Sequence, residues 1–208
     1  MEVSRIRALR GPNLWSRRTA LEAIVTCNPD ESSIDNLVGL EPRIRALFPD
    51  IGILRDSGPA GPVSLAHVLE AVAFELQAYA GCPVTFSRTS ATLEAGIYQV
   101  VVEYSEEAVG RLALELAQAL VHAALQNGAF DVQAAIGRLR DLDEDERMGP
   151  STGAIVEAAL ARDIPFRRLT KGSMVQFGWG SRQRRIQAAE LDSTSAVAES
   201  IAQDKDLT

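Results

Sequence analysis

The chain has 208 residues, 46% of them hydrophobic and 24% charged, with a formal net charge of -7 at pH 7. That apolar share suffices for a packed core and excludes wholesale disorder. The acidic balance argues against broad nucleic-acid binding, which needs a basic field to displace counterions.

Two cysteines, Cys27 and Cys82, are too few for a disulfide framework and lack the CxxC spacing of a zinc knuckle. No apolar run reaches the roughly 20 residues of a membrane span. The first residues lack the apolar segment of a signal peptide. A cytoplasmic chain is expected, with neither nucleic acid nor membrane as partner. Its length allows one large domain or two small ones.

In chain order, residues 3–10 set Val3, Ile6 and Leu9 among Arg5, Arg7 and Arg10, which predicts a strand broken by Gly11-Pro12-Asn13. Residues 20–27 form a second strand. A short helix within 32–48 ends at Pro49-Asp50, and residues 56–62 (DSGPAGP) read as a loop. Residues 63–80 make the first strong helix. Leu65, Val68, Leu69, Val72, Leu76 and Tyr79 recur at three and four, Ser64 caps the start, and Gly81 with Pro83 stops the end.

Strands follow at 84–88 and 97–104. The β-branched run Val100-Val101-Val102 makes the second a central strand. Residues 106–127 form a long helix stopped by Asn127-Gly128. Asp131 caps another helix through Leu142, and the charged tail at 141–147 reads as a solvated face or linker and as a domain boundary. Beyond it, Ser151 caps a helix over 152–162. A strand follows at 166–169, then two at 174–179 and 184–188 joined by Gly180-Ser181-Arg182. Ser193 or Thr194 caps a last helix over 195–203. Helices and strands mix in short alternation, so the class is α/β or α+β, with α+β preferred.

Four stretches then fall in a telling order: RALRGPNLWS (7–16), GIYQVVVEY (96–104), GPST (149–152) and SMVQFGWGSRQRRIQAA (173–189). With them the chain resembles the N-terminal part of cyanophycin synthetase. The resemblance implies an N-terminal domain over residues 1–147, then the opening, incomplete subdomain of an ATP-grasp module over 148–208. The parent it implies is longer and ends in a Mur-ligase-like module. It uses ATP and magnesium, through an acyl phosphate, to extend poly-aspartate and to attach arginine to each side chain by an isopeptide bond. The implied partners are this polymer, cyanophycin, the remaining ligase modules and further copies of the chain in a homo-oligomer. The sequence holds no GxxxxGK[ST] loop. The ATP-grasp core is expected beyond Thr208. The isolated chain is therefore expected to bind polymer without ligating it and to carry no cofactor.

Some members of that family carry HxxEH where this chain has His67-Val68-Leu69-Glu70-Ala71. Two histidines four apart share a helix face and hold zinc while the glutamate activates water. In those members the domain resembles a metallohydrolase that cuts polymer into primers. Here Ala71 offers no lone pair, His122 lies on another helix, and Glu75 adds only a carboxylate. His67, Glu70 and Glu75 are thus expected to mark a vacated site with no metal, or ordinary polar residues at a pocket rim.

Candidate polymer-binding residues fall in three places. In the loop after the first strand, Arg10 clamps carboxylates and Trp15 stacks on guanidinium, with Asn13 between them; a plain structural turn competes with this. Arg88 and Glu103 lie near each other if their strands pair, making a mixed-charge groove or a surface ion pair. In the last hairpin, Gln176, Arg182, Arg184 and Arg185 form the densest basic cluster, which serves the polymer end or an oligomer contact. A polymer-binding module is the leading reading. The alternatives are a metal-dependent hydrolase with a degraded motif and an oligomerisation scaffold.

Overall fold

The computed structural model describes residues 1–52, 54, 62–188 and 190–195. The predicted loop at 56–62 and the predicted helix at 195–203 lie outside the described residues, apart from Pro62 and Ser195. The chain divides into two compact units, Met1–Glu146 and Arg147–Thr208. The architecture is α+β in both.

The first unit is built on a four-stranded antiparallel sheet of β1 (Glu2–Leu9), β2 (Ala20–Thr26), β3 (Ser87–Ala91) and β4 (Ile97–Glu103), in the order β1-β2-β4-β3. The β-branched strand β4 is central, as its composition predicts. Strand β3 starts three residues later than expected. The backbone amide of Val84 turns back to the Cys82 carbonyl, and Thr85 is held by the Glu103 carboxylate, so pairing begins only at Phe86.

Among the described residues, four α-helices accompany the sheet: α1 (Leu40–Leu47), α2 (Leu65–Ala80), α3 (Glu107–Gln126) and α4 (Val132–Glu146). Strand periodicity sends Leu21, Ala23 and Val25 of β2 and Tyr98, Val100 and Val102 of β4 to one face. There they join Leu65, Leu69, Val72 and Leu76 of α2, Val109, Ala113 and Leu120 of α3, and Leu139 of α4 in one core. Each such leucine or valine contributes about 1.5–3 kcal/mol by leaving water. Gly110 is required where α3 crosses the chain, since a Cβ there would stand 2.7 Å from the Tyr104 Cβ.

Ser64 precedes α2, and Gly81, at φ 92°, ends it in the left-handed conformation. Helix α4 runs on to Glu146, past the end expected at Leu142, so the charged run is largely helical. Asp131 Oδ1 accepts the Ala134 amide at 2.9 Å to start it. No helix breaker follows until Gly149-Pro150, and Asp143 within the run accepts the Ser105 hydroxyl at 2.5 Å.

The second unit holds α5 (Pro150–Leu160) and a four-stranded antiparallel sheet of β5 (Phe166–Arg168), β6 (Met174–Phe177), β7 (Arg184–Gln187) and β8 (Glu190–Leu191), ordered in sequence. Helix α5 starts one residue before the predicted cap. Gly149 takes the cap position and Pro150 the first turn, where its missing N–H costs nothing. Val156, Val175 and Ile186 form the buried centre, flanked by Ile155, Leu160, Phe166 and Phe177. Strand β8 has two residues, too few for any periodicity to announce it.

Candidate ligand-binding site

The loop from Arg10 to Arg18 folds on the sheet face turned away from α2. Asn13 organises it. Its Oδ1 accepts the backbone amides of Trp15 and Ser16, each at 2.9 Å. Its Nδ2 donates to the Gly11 carbonyl at 3.1 Å and the Arg18 carbonyl at 2.9 Å. That uses the capacity of the amide, so Asn13 shapes the loop. Ser16 Oγ donates to Glu103 Oε1, and the other carboxylate oxygen accepts the Thr85 amide at 2.9 Å and the Thr85 hydroxyl at 3.0 Å. Glu103 is 3% exposed. It is an anchor that fastens the loop to β4.

Glu103 does not pair with Arg88. Arg88 stands opposite Val101 in the β3–β4 register, and the Glu103 oxygens are already committed. The Arg88 guanidinium lies instead over the Trp15 ring, 5.9 Å from its centre, a cation–π arrangement. Arg88 and Trp15, predicted in separate motifs, meet here. Arg10 is drawn elsewhere. Its Nη2 donates to Glu107 Oε2 at 2.8 Å, while Arg111 Nη2 reaches the other Glu107 oxygen at 2.9 Å. The hydrogen bond from Arg10 is the chief reason the Glu107 carboxyl titrates below its ordinary range.

Sequence reasoning missed a triplet on the same sheet face. Glu22, 4% exposed, accepts Arg7 Nε at 2.6 Å and also the amide of Gln99. The signal was available: a lone carboxylate in the apolar strand Ala20–Thr26 demands a partner once buried.

Along α2, His67, Glu70 and Ala71 are half-buried. The Ser64 amide donates to His67 Nδ1 at 3.1 Å, which closes the helix start. The His67 ring stands edge-on to Tyr98, 5.9 Å between centres. Burial lowers its pKa, so it is neutral at pH 7. Burial raises the Glu70 carboxyl above its ordinary range, and the Ser87 and Thr89 hydroxyls of β3 facing it temper the rise. The Thr89 oxygen is itself buried without a hydrogen bond of good geometry. Glu75 departs from this group. Its carboxylate lies against the Gly52 backbone, whose Cβ position is 2.6 Å from Oε1. His122 is exposed on α3. Among the described residues no three histidine, cysteine, aspartate or glutamate side chains converge as metal ligands. The His67–Glu70–Ala71 stretch itself supplies one imidazole and one carboxylate.

In the second unit the cross-strand register sets Arg167, Gln176 and Arg185 in one row across β5, β6 and β7. Arg184, opposite Phe177, belongs to the other face of the sheet, so the predicted cluster splits. Its Nη1 donates to the Gln183 carbonyl at 2.9 Å. Arg182 is exposed in the connecting 3-10 turn (Gly180–Arg182). Arg167 was not foreseen, because only the register reveals its place beside Gln176.

The family described as cyanophycin synthase-like N-terminal domain matches residues 60–126. That span holds α2, the β3–β4 hairpin and α3, hence Glu70, Arg88 and Glu103. Over its full length the chain is 33% identical to the cyanophycin synthetase of Trichormus variabilis, of which it covers 25%. It is likewise 33% identical to the cyanophycin synthetases of Geminocystis herdmanii and of a Synechocystis species, covering 26% of each. The chain spans about a quarter of the length of these curated relatives. The chain is thus similar to that N-terminal domain over residues 60–126 and to cyanophycin synthetases over its full length.

Proposed function

We propose that the chain is a polymer-binding module for multi-L-arginyl-poly-L-aspartate. Trp15 and Arg88 form its main contact. The observation that carries this reading is the unpaired guanidinium of Arg88. Among the described residues it has an aromatic ring beside it and no acidic partner. A branch of the polymer ends in a carboxylate, which suits Arg88, and in a guanidinium, which suits the face of Trp15. Asn13, Ser16 and Glu103 place that pair. Arg10 steadies the loop through Glu107. The row Arg167–Gln176–Arg185, with Arg182 and Arg184 nearby in sequence, supplies further weak contacts to a repetitive ligand.

On this reading the module tethers a chain and keeps it at high local concentration for a ligase centre. ATP and magnesium serve that centre in the longer parent, and the isolated chain neither joins nor cuts the polymer. The setting is cytoplasmic and the parent homo-oligomeric.

Calorimetric titration of the full chain with short β-Asp-Arg oligomers tests the proposal. Binding is expected, weaker at high salt. Arg88→Gln lowers affinity about tenfold, the worth of one charge-assisted hydrogen-bonded contact. An absence of heat at millimolar oligomer, with the protein folded, refutes the reading.

A further inference from the structure

The two edges of the first sheet differ in a way that bears on how a polymer is held. Strand β1 is a protected edge. Its pairing with β2 shifts between Ser4 and Arg7, and Arg5 sits at φ 45° in the left-handed region. Such an irregularity spoils the template for a further strand. Strand β3, at the other edge, pairs with β4 without a break from Ser87 to Ala91, and its sequence SRTSA has no proline.

The orientation of its backbone follows from the ends of the ladder. The Glu103 amide donates to the Phe86 carbonyl at 3.0 Å, and the Thr92 amide donates to the Ile97 carbonyl at 2.9 Å. Phe86 and Thr92 therefore face β4, as do Arg88 and Ser90 between them. The amides and carbonyls of Ser87, Thr89 and Ala91 point the other way. None of these has a backbone partner among the described residues.

The side chains flanking that edge carry opposite charge on opposite faces. Arg88 lies on the face with Trp15. Glu70 of α2 lies on the face with Ser87 and Thr89. Glu70 is half-buried and has no cation beside it among the described residues.

We propose that β3 is the docking edge for the polymer backbone, which adds to it as a fifth strand. The proposal rests on the polymer-binding reading above and says how the polymer is gripped. Poly-aspartate is an ordinary peptide chain, so its amides and carbonyls match the outward groups of Ser87, Thr89 and Ala91. Successive side chains of an added strand turn to alternate faces. A branch on one face brings its guanidinium to Glu70, and the next brings its carboxylate to Arg88. The backbone supplies affinity and the two faces supply selectivity. Unbranched poly-aspartate leaves Glu70 uncompensated and binds more weakly.

The test keeps the protein unaltered and changes the ligand. β-Asp-Arg oligomers are compared with the same oligomers N-methylated on every backbone amide, by calorimetry on the full chain. Methylation keeps every charge and removes the strand-forming donors. Loss of several hydrogen bonds is expected to weaken binding at least about tenfold. In the unmethylated complex the amides of Thr89 and Ala91 are expected to gain protection from hydrogen exchange. Equal affinity for both oligomers, or no gain in protection, overturns strand addition while leaving polymer binding intact. Failure of both oligomers to bind overturns the underlying reading as well. Ala91→Pro provides a second route, because it deletes an outward N–H and leaves the ladder to β4 whole. It is expected to weaken binding of the unmethylated oligomer and to leave the unfolding midpoint nearly unchanged.

Discussion

The two units handle charge in opposite ways. In the first, buried carboxylates are matched within the fold: Glu22 by Arg7 and Gln99, Glu103 by Ser16 and Thr85. A core drawn from sheet and helices together holds those pairs in place. In the second, the row Arg167–Gln176–Arg185 lies on a sheet whose buried centre is Val156, Val175 and Ile186. A large core holds a few polar groups in set positions, and Arg88 and Glu70 stand out as charges with no ion-pair partner among the described residues. A small core leaves its cations exposed to solvent, where each is worth little alone.

The largest expected effect that sharpens this contrast comes from Glu103. Replacing it by alanine strips partners from the Ser16 hydroxyl and from both Thr85 donors, and releases the loop that carries Trp15. A loss of about 3 kcal/mol is expected in denaturant unfolding, the usual range for breaking a buried polar network. Trp15 fluorescence, read in a Trp179→Phe background, should shift toward that of an exposed indole. A loss within a few tenths of a kcal/mol, as for a surface substitution, would show that the anchor does not stabilise the loop.

Next in size is Val175→Ala, which opens a void among the few buried residues of the second unit and costs about 1–2 kcal/mol. Hydrogen exchange should then quicken in β6 and β7 while β4 keeps its protection. Equal acceleration in β4 and β6 would show a single cooperative block in place of two units.

Much of the fold was legible because burial and period coincide. The repeat of Leu65, Leu69, Val72 and Leu76 marked α2, and Val100 to Val102 marked the central strand. The misreadings lie where tertiary partners override local signals. Residues 84–85 look like strand, but the Glu103 carboxylate claims Thr85 and delays pairing. The run after Asp141 looks like a solvated face or linker because it is charged, yet nothing in it breaks a helix, and α4 continues past Leu142.

The site was legible in parts. Trp15 and Arg88 were each singled out, but their meeting depends on a loop fold set by Asn13, which no spacing rule encodes. Arg167 stayed hidden because cross-strand neighbours are far apart in sequence. Glu75 looked like a companion of His67 and is claimed by the Gly52 backbone.

The smallest expected effect concerns acid, and it isolates His67. The His67 Nδ1 atom accepts the Ser64 amide, so protonation there breaks the bond that closes the start of α2. Burial holds its folded pKa below the ordinary 6.5. The neutral ring thus contributes stability that is full above 6.5 and is lost as pH falls through the lowered value. Glu70 acts with the opposite sign. Its folded pKa lies above the ordinary 4.5, so the penalty on its charged form exists at neutral pH and is relieved as pH falls. The two partly cancel, and Glu70→Gln should therefore steepen the acid loss of stability. His67→Asn, whose carbonyl oxygen accepts the same amide without titrating, should flatten it. The bond at stake is worth about 1 kcal/mol, typical of a helix cap. Urea midpoints measured from about pH 7 down to about pH 5 would separate the two residues. If His67→Asn follows the wild-type curve, the acid response comes from carboxylates such as Glu107, whose lowered pKa makes its contribution fade only at lower pH.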